Sequence, residues 1–135
     1  MLVRRARDWL DQALRDLNHA KSDLDGEYYE WACFSAQQAA EKAVKALYQA
    51  VGIDAWGYSV WILLDNLPED LKPSEELIDE AREIDRFYIP TRYPNAHAAG
   101  PPYVYYMKRD AKRAIEIASK IIKYCEDKIK EIESK

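Results

Sequence analysis

Proline and glycine, the residues that interrupt helices, are unevenly distributed along this 135-residue sequence. All six prolines fall between Pro68 and Pro102. The four glycines are Gly26, Gly52, Gly57 and Gly100. The stretches 1–25, 27–51 and 103–135 therefore contain no internal helix breaker. Because nothing interrupts them, each of these stretches is predicted to form one long helix.

Hydrophobic periodicity supports the same interpretation in the first and last stretches. Their apolar residues recur every three or four positions, as expected of helices that bury one face. The first stripe consists of Val3, Ala6, Leu10, Ala13, Leu17, Ala20 and Leu24, and the last of Ala111, Ile115, Ala118, Ile122, Cys125, Ile129 and Ile132. The alternation typical of strands extends over no useful length. An all-α fold is therefore predicted.

The second stretch has a broad apolar face built largely of alanine, between residues 31 and 51. Small side chains let neighbouring helices approach closely, so we expect this helix to lie at the centre of the molecule. On its narrow polar edge, Glu41 and Lys45 stand one turn apart and can form an ion pair.

Two serines mark helix starts in the middle of the chain. Ser59 can cap a short helix over 59–66, and Ser74 can cap another that Pro90 must stop. The main helices are expected at about 2–25, 27–51, 74–88 and 103–132. Together these elements predict an antiparallel up-and-down four-helix bundle with one extra short helix, formed by a single domain over residues 1–135.

Composition and motifs exclude several classes of protein. Charged residues make up 33% of the chain, and no apolar run approaches the length of a bilayer span. Cys33 and Cys125 lie among apolar residues and are interpreted as small buried hydrophobic side chains. His19 is expected at the surface, and neither histidine has metal-ligand spacing. The common dinucleotide, P-loop and hydrolase motifs are absent. We expect a cytoplasmic protein with no membrane, metal or cofactor.

The segment 88–102 does not fit a helix, because four prolines stiffen it. It lies within a basic region: residues 82–113 carry seven basic and three acidic residues, a net charge of +4 in a chain of net charge −4. This contrast indicates a local anion site, with a solvated face of local ion pairs as the alternative. The candidate binding residues are Arg86, Tyr93, Asn95, Lys108, Arg109 and Lys112. The region's six aromatic residues could stack on bases, or pack the loop and line a subunit interface.

Arg92 and His97 are the candidate catalytic residues of this segment. A guanidinium grips a phosphate bidentately, and an imidazole moves protons near neutral pH. For RNA, such a pair could direct the ribose 2′-OH at the adjacent phosphate without a metal. Asn95 could orient one of the two by a hydrogen bond. One such pair is a small active site, so two subunits could contribute; alternatively, both side chains only tie down the loop.

These features resemble the HEPN (higher eukaryotes and prokaryotes nucleotide-binding) family over nearly the whole chain. The resemblance is carried by Trp9, Ala13 and Asp16-Leu17, YEWACF over 29–34, AQQAAEKAVKAL over 36–47, Tyr88 and TRYPN over 91–95. It implies a small helical bundle that forms homodimers and that often accompanies a minimal nucleotidyltransferase as a toxin–antitoxin pair. Several branches are metal-independent endoribonucleases with an Arg followed four to six residues later by a His, a pattern that Arg92 and His97 match.

Two positions depart from the pattern of the nuclease branches. Tyr93 and Pro94 follow the arginine, where a polar residue is common, and Tyr58 precedes Ser59, where relatives often carry a histidine. Two hypotheses follow. In the first, the chain binds RNA or a nucleotide at a basic cleft, with metal-independent RNA cleavage as the candidate reaction there; in the second, it is a non-catalytic partner of a nucleotidyltransferase.

Overall fold

The computed structural model describes the backbone of residues 2–135 and the side chains of residues 5–135, so the predicted contribution of Val3 to the core lies outside the described side chains. Within this range the regular structure is helical, and no strand is present. The helices are α1 (Leu2–Asp25), α2 (Tyr29–Ala50), α3 (Val60–Asp65), α4 (Glu75–Asp85) and α5 (Lys108–Glu133), with 3₁₀ turns at Glu69–Leu71, Pro94–Ala96 and Pro102–Tyr105. The all-α prediction is confirmed.

The directions of the long helices follow from the contacts between their ends. A tight turn reverses the chain between α1 and α2. At the other end of the bundle, Arg7 of α1 donates to Glu133 of α5 at 2.7 Å. Arg113, early in α5, donates to Glu83, late in α4, at 3.0 Å. Successive long helices therefore run in opposite directions, which is the predicted up-and-down bundle with α3 as its extra short helix.

Helix α2 is the centre of the bundle, as its alanine-rich face predicted. It packs against α1 and α5 along their length and also contacts α3 and α4. Its fully buried alanines are Ala32, Ala36, Ala39, Ala40, Ala43 and Ala46. The lack of bulk at these positions lets helices pack against α2 from both sides. The predicted Glu41–Lys45 ion pair forms at 3.0 Å.

Three predicted helix ends need correction. Helix α2 begins at Tyr29 rather than 27, because Glu27 adopts a left-handed conformation with φ of 65°. Helix α5 begins at Lys108 rather than 103, because Pro102–Tyr105 form a separate 3₁₀ turn and the Asp110 carboxylate accepts the N–H of Met107 at 2.8 Å at the start of the helix. Helix α4 ends at Asp85 rather than 88, and a non-helical turn follows.

Of the two predicted serine caps, one is confirmed. The Ser74 hydroxyl accepts the N–H of Leu77 at 3.2 Å. Ser59 stands at the start of α3, but its hydroxyl donates to Asp85 at 3.1 Å and does not cap the helix. Asp85 caps α3 in its place, because its carboxylate accepts the N–H groups of Val60 and Trp61, each at 3.0 Å.

The side chain of Asp85 also joins α4 to the centre of the bundle. Its Oδ1 accepts a hydrogen bond from Gln37 Nε2 at 3.1 Å, and Gln37 is fully buried on α2. The same amide donates to the Tyr58 carbonyl at 2.9 Å. Asp85 and Gln37 therefore lock the end of α4, the start of α3 and the middle of α2 into one arrangement.

Both cysteines are buried free thiols, as predicted. Burial raises the pKa of Cys33 to about 12 and raises that of Cys125 as well. His19 is exposed, as predicted, although its ring contacts Asp23 and Ser35. Across the described residues, none of the helices has both the length and the hydrophobicity needed to cross a membrane.

Candidate functional site

The turn that follows α4 holds the guanidinium of Arg92 in place. Arg92 Nε and Nη2 both donate to the Tyr88 carbonyl oxygen, at 2.9 and 2.7 Å. Since Tyr88 lies four residues earlier, this fork clamps the side chain against its own backbone. Among the described residues, no other acceptor binds the guanidinium and no carboxylate pairs with it. The remaining N–H groups of Arg92 are therefore available to an anion.

Aromatic rings surround the same guanidinium. Arg92 Cζ lies 4.2 Å from the ring centre of Phe34, 4.8 Å from that of Tyr88 and 5.0 Å from that of Tyr93. Cation–π attraction of this kind strengthens as the cation loses water. Tyr88 is itself held by stacking on Tyr58, with ring centres 3.9 Å apart and planes 7° apart. The charge of Arg92 is thus oriented without being neutralised.

His97 is fixed by a different atom of the same turn. Its Nε2 lies 2.6 Å from the Pro90 carbonyl oxygen, and because a carbonyl only accepts, Nε2 carries the hydrogen. The ring stacks on Tyr105 at 4.1 Å and meets Tyr106 edge-on at 6.1 Å. Nδ1 has no partner within the described part of the chain. Nε2 therefore holds the ring in place and leaves Nδ1 open to a hydrogen-bond partner outside the chain.

The chain on either side of these two residues is pinned by further hydrogen bonds. Thr91 is buried, and its hydroxyl donates to the Phe87 carbonyl at 2.7 Å. The Tyr105 hydroxyl donates to the Ala99 carbonyl. Burial raises the pKa of Tyr106 to about 12, so this phenol keeps its proton at neutral pH. The loop presents Arg92 and His97 from a well-anchored backbone.

Two predicted neighbours have less defined positions. Asn95 is exposed in the 3₁₀ turn Pro94–Ala96, and its side chain bonds neither Arg92 nor His97; their side chains bond backbone carbonyls instead. The structure therefore shows no orienting hydrogen bond from Asn95, and its role at the site stays a prediction. Tyr93 is 48% exposed and has one ring face toward Arg92, so it remains accessible to a ligand.

The four other basic candidates do not bond to Arg92 or His97. Lys108 and Lys112 line a separate hollow of about 430 Å³ at the α1–α2 turn, together with Asp25 and Glu27. The structure thus places two acidic residues beside these two lysines. Arg86 is exposed at the end of α4, and Arg109 is exposed in the first turn of α5.

The basic region is less basic in three dimensions than in sequence. Arg113 pairs with Glu83 and Glu80, at 3.0 and 3.2 Å, and also with Glu116, and the hydrogen bond to Glu83 raises its pKa. Arg82 pairs with Asp79 at 2.9 Å. Because Glu80, Glu116 and Asp79 lie outside residues 82–113, counting charge along the segment overlooked them.

Phe34 lies at this site but is not among the site residues predicted from the sequence. It lies on α2, far from Arg92 in the chain, and its ring lies under the guanidinium. The sequence does carry a signal for this role. A single phenylalanine on an alanine-rich helix must contact a group outside the closely packed alanine face, because its ring is too large for that face. Within residues 5–135, no group of three or more His, Cys, Asp and Glu side chains could hold a metal ion.

Comparison with known proteins identifies relatives over nearly the whole chain. A family model described as HEPN domain matches residues 6–128. A protein of Methanocaldococcus jannaschii with the name "Putative toxin MJ1304" is 25% identical over 138 residues, which cover 96% of this chain and 91% of that protein.

Solved structures resemble the fold closely. The crystal structure of TT1696 from Thermus thermophilus superposes with a TM-score of 0.90 at 50% identity, covering 92% of this chain and 98% of that one. ST0689, described as an archaeal HEPN homologue, gives a TM-score of 0.79 at 41% identity, and the match covers 92% of this chain and 97% of that one. A HEPN domain protein from Thermotoga maritima gives 0.72 at 44% identity, covering 89% and 95%.

Proposed function

The chain belongs to the HEPN domain family, and on that premise we propose that it binds RNA or a nucleotide through Arg92, with His97 as the acid–base group of a metal-independent RNA cleavage. The observation that carries this proposal is the state of Arg92. Arg7, Arg82 and Arg113 are all paired with carboxylates, whereas Arg92 is held by a carbonyl and three aromatic rings. A fixed guanidinium without a carboxylate partner is suited to a phosphate.

His97 completes the proposed chemistry. Its Nδ1 takes the proton of a ribose 2′-OH, the 2′ oxygen bonds to the adjacent phosphorus, and the bond from phosphorus to the 5′ oxygen breaks. The departing 5′ oxygen takes a proton from a second histidine, which is protonated. Arg92 stabilises the negative charge that builds up on the phosphate oxygens. The products are a 2′,3′-cyclic phosphate and a free 5′-OH.

We also propose that two copies of the chain act together. One histidine cannot be both the base and the acid in a single concerted step. A homodimer with two His97 side chains at one cleft would supply both groups. A protein that remains monomeric in light scattering at working concentration would overturn this part of the proposal.

The toxin-type role is proposed from the relative whose name describes a toxin. A toxin that cleaves RNA needs neutralising, and a minimal nucleotidyltransferase is the partner that the family resemblance suggests. The alternative, a non-catalytic partner of such an enzyme, predicts exposed apolar area on α2 or α5. Within the described chain, Trp31 is the large hydrophobic residue of α2 or α5 that is exposed, at 45%, and the others lie mostly in the connecting segments, including Trp56, Tyr103 and Val104 at 85%, 63% and 58%. The docking hypothesis therefore has less support than the phosphate site.

The test is cleavage of a labelled single-stranded RNA by pure protein in excess EDTA, comparing wild type with His97→Ala. We expect wild type to leave 2′,3′-cyclic phosphate ends and the variant to lose at least about 100-fold in rate. Both proteins are purified identically, so a contaminating nuclease would cut in both samples. Equal cleavage in the two samples, or none in either, would overturn the nuclease proposal.

A further inference from the structure

A recess lies between α1 and the first half of α2, beside the Arg92 site. Its volume is about 290 Å³, and Trp31 and Phe34 line it together with Gln38 and Lys42. The Trp31 and Phe34 ring centres are 6.1 Å apart at 78°, so the two rings form a corner. Trp31 is 45% exposed. The space is at the small end of ligand pockets and suits one base rather than a longer segment.

Phe34 belongs both to this recess and to the Arg92 site. The guanidinium lies over its ring at 4.2 Å, and the same residue lines the recess. A ligand ring packed in the recess would therefore be separated from Arg92 by little more than one side chain. In a nucleotide, the base and the phosphate are likewise adjacent, joined by a single sugar.

The lysine that lines the recess is already paired with a carboxylate. Lys42 Nζ donates to Asp16 at 2.5 Å. His19 Nδ1 lies 2.9 Å from Asp23 Oδ2, so this ring also faces an acidic side chain. Among the described residues, the recess therefore offers a phosphate no free lysine or arginine to bind. It suits the neutral, flat portion of a ligand, while the unpaired guanidinium of Arg92 suits the anionic portion.

Gln38 has a defined amide orientation. Gln37 Nε2 donates to Asp85, so Gln37 Oε1 is left as an acceptor, and Gln38 Nε2 donates to it at 2.8 Å. Gln38 Nε2 also faces Glu41 Oε1 at 3.4 Å. Because both partners are acceptors, the amide nitrogen must face them. Gln38 Oε1 has no hydrogen-bond partner among the described residues, which leaves it free to accept one from a ligand.

We propose that this recess binds a nucleobase of the RNA or nucleotide whose phosphate Arg92 holds, with the base packed against Trp31 and Phe34. Gln38 Oε1 accepts a hydrogen bond from an exocyclic amino group, which favours adenine, cytosine or guanine over uracil. The inference rests on the proposed function, because it assigns the base of the same ligand. It does not depend on cleavage by His97.

The first test uses adenosine, which has a base but no phosphate. Adenosine is titrated into ¹⁵N-labelled protein, and the indole N–H signals are assigned with single Trp→Phe variants. We expect the Trp31 signal to shift strongly and the Trp56 signal to stay in place, since Trp56 is exposed and outside the recess. An unmoved Trp31 signal at saturating adenosine would overturn the inference.

The second test separates the base from the phosphate, using adenosine monophosphate. Trp31→Leu should weaken its binding by about 10- to 100-fold, as expected for the loss of a stacking surface. Trp56→Leu, the matched control, should leave it unchanged. Arg92→Ala should weaken adenosine monophosphate but not adenosine. Thermal melting of each variant shows that the bundle is intact.

The outcomes distinguish the two proposals. If Arg92→Ala weakens adenosine monophosphate and Trp31→Leu does not, the base recess is wrong and phosphate binding by Arg92 stands. If only Trp31→Leu has an effect, the base recess stands and Arg92 is not its phosphate partner. Equal binding of adenosine and inosine, which lacks the amino group, would overturn the role of Gln38.

Discussion

Arg92 and His97 are anchored to backbone carbonyls only two residues apart: Arg92 donates to Tyr88 and His97 donates to Pro90. Both side chains therefore take their positions from one turn, although the residues are separated in the chain by a proline. Any movement of this turn would move the proposed phosphate-binding group and the proposed acid–base group together. This coupling explains how one short turn can fix both side chains at once.

Arg92→Lys should weaken binding of single-stranded RNA by about 10-fold. A lysine has one compact ammonium, which cannot keep the forked contact to Tyr88 and present a bidentate face to a phosphate. Filter binding at fixed ionic strength measures the effect. Arg15→Lys, at an exposed arginine of α1, is the control and should change the affinity little. If both variants bind like wild type, Arg92 is not the phosphate contact.

Asp85→Ala should lower the free energy of unfolding by about 2–4 kcal/mol. The carboxylate accepts hydrogen bonds from Gln37, Ser59, Val60 and Trp61, and its loss leaves the buried Gln37 amide with one partner fewer. Urea unfolding followed by circular dichroism measures the change.

The control for Asp85 is Asp79→Ala on the same helix. Asp79 is exposed and pairs only at the surface with Arg82, so its loss should cost less than about 1 kcal/mol. Similar losses for the two variants would show that the Asp85 hydrogen bonds do not hold α3 and α4 together.

Glu27→Gly should raise the free energy of unfolding by about 0.5–1 kcal/mol. Glu27 has φ of 65° between α1 and α2, a conformation that costs a residue with a Cβ and costs glycine almost nothing. Glu27→Ala removes the same carboxylate but keeps the strain, and should bring no such gain. Thermal or urea unfolding of both variants checks this, and a gain in both would point to charge rather than backbone conformation.

The free energy of unfolding should fall as the pH rises above about 9. Burial raises the pKa of both cysteines, so the native state keeps protons that the unfolded state releases. Their contribution is complete below the unfolded pKa and is lost as the pH rises toward the native value of about 12 for Cys33.

Urea midpoints measured from about pH 8 to about pH 10 test this dependence. The double variant Cys33→Ala, Cys125→Ala should show a shallower decline, because Tyr48, Tyr106 and Tyr124, whose pKa values desolvation also raises, then account for what remains. An equally steep decline in the variant would rule out the cysteines as its source.

The helices were predictable because their causes are local. Interruption by proline and glycine, apolar stripes and the Ser74 cap all act within a few residues. The helix starts that were predicted wrongly have other causes. Helix α2 starts late because Glu27 takes a left-handed turn, and Ser59 fails to cap α3 because Asp85, on another helix, accepts its hydrogen bond and those of the α3 N-terminus.

The sequence by itself determined the helical bundle and its family, because side-chain type and spacing are written along the chain; from the same pattern, Arg92 and His97 are the residues predicted for phosphate chemistry. Only the tertiary structure decided which charges remain free. It neutralised Arg113 with glutamates of α4 and α5, placed Lys108 and Lys112 beside acidic residues, and left Arg92 against the ring of Phe34. The reason is physical: the pairing of a charge depends on its distance to groups that folding brings close, and for groups on different helices that distance cannot be read from position in the chain.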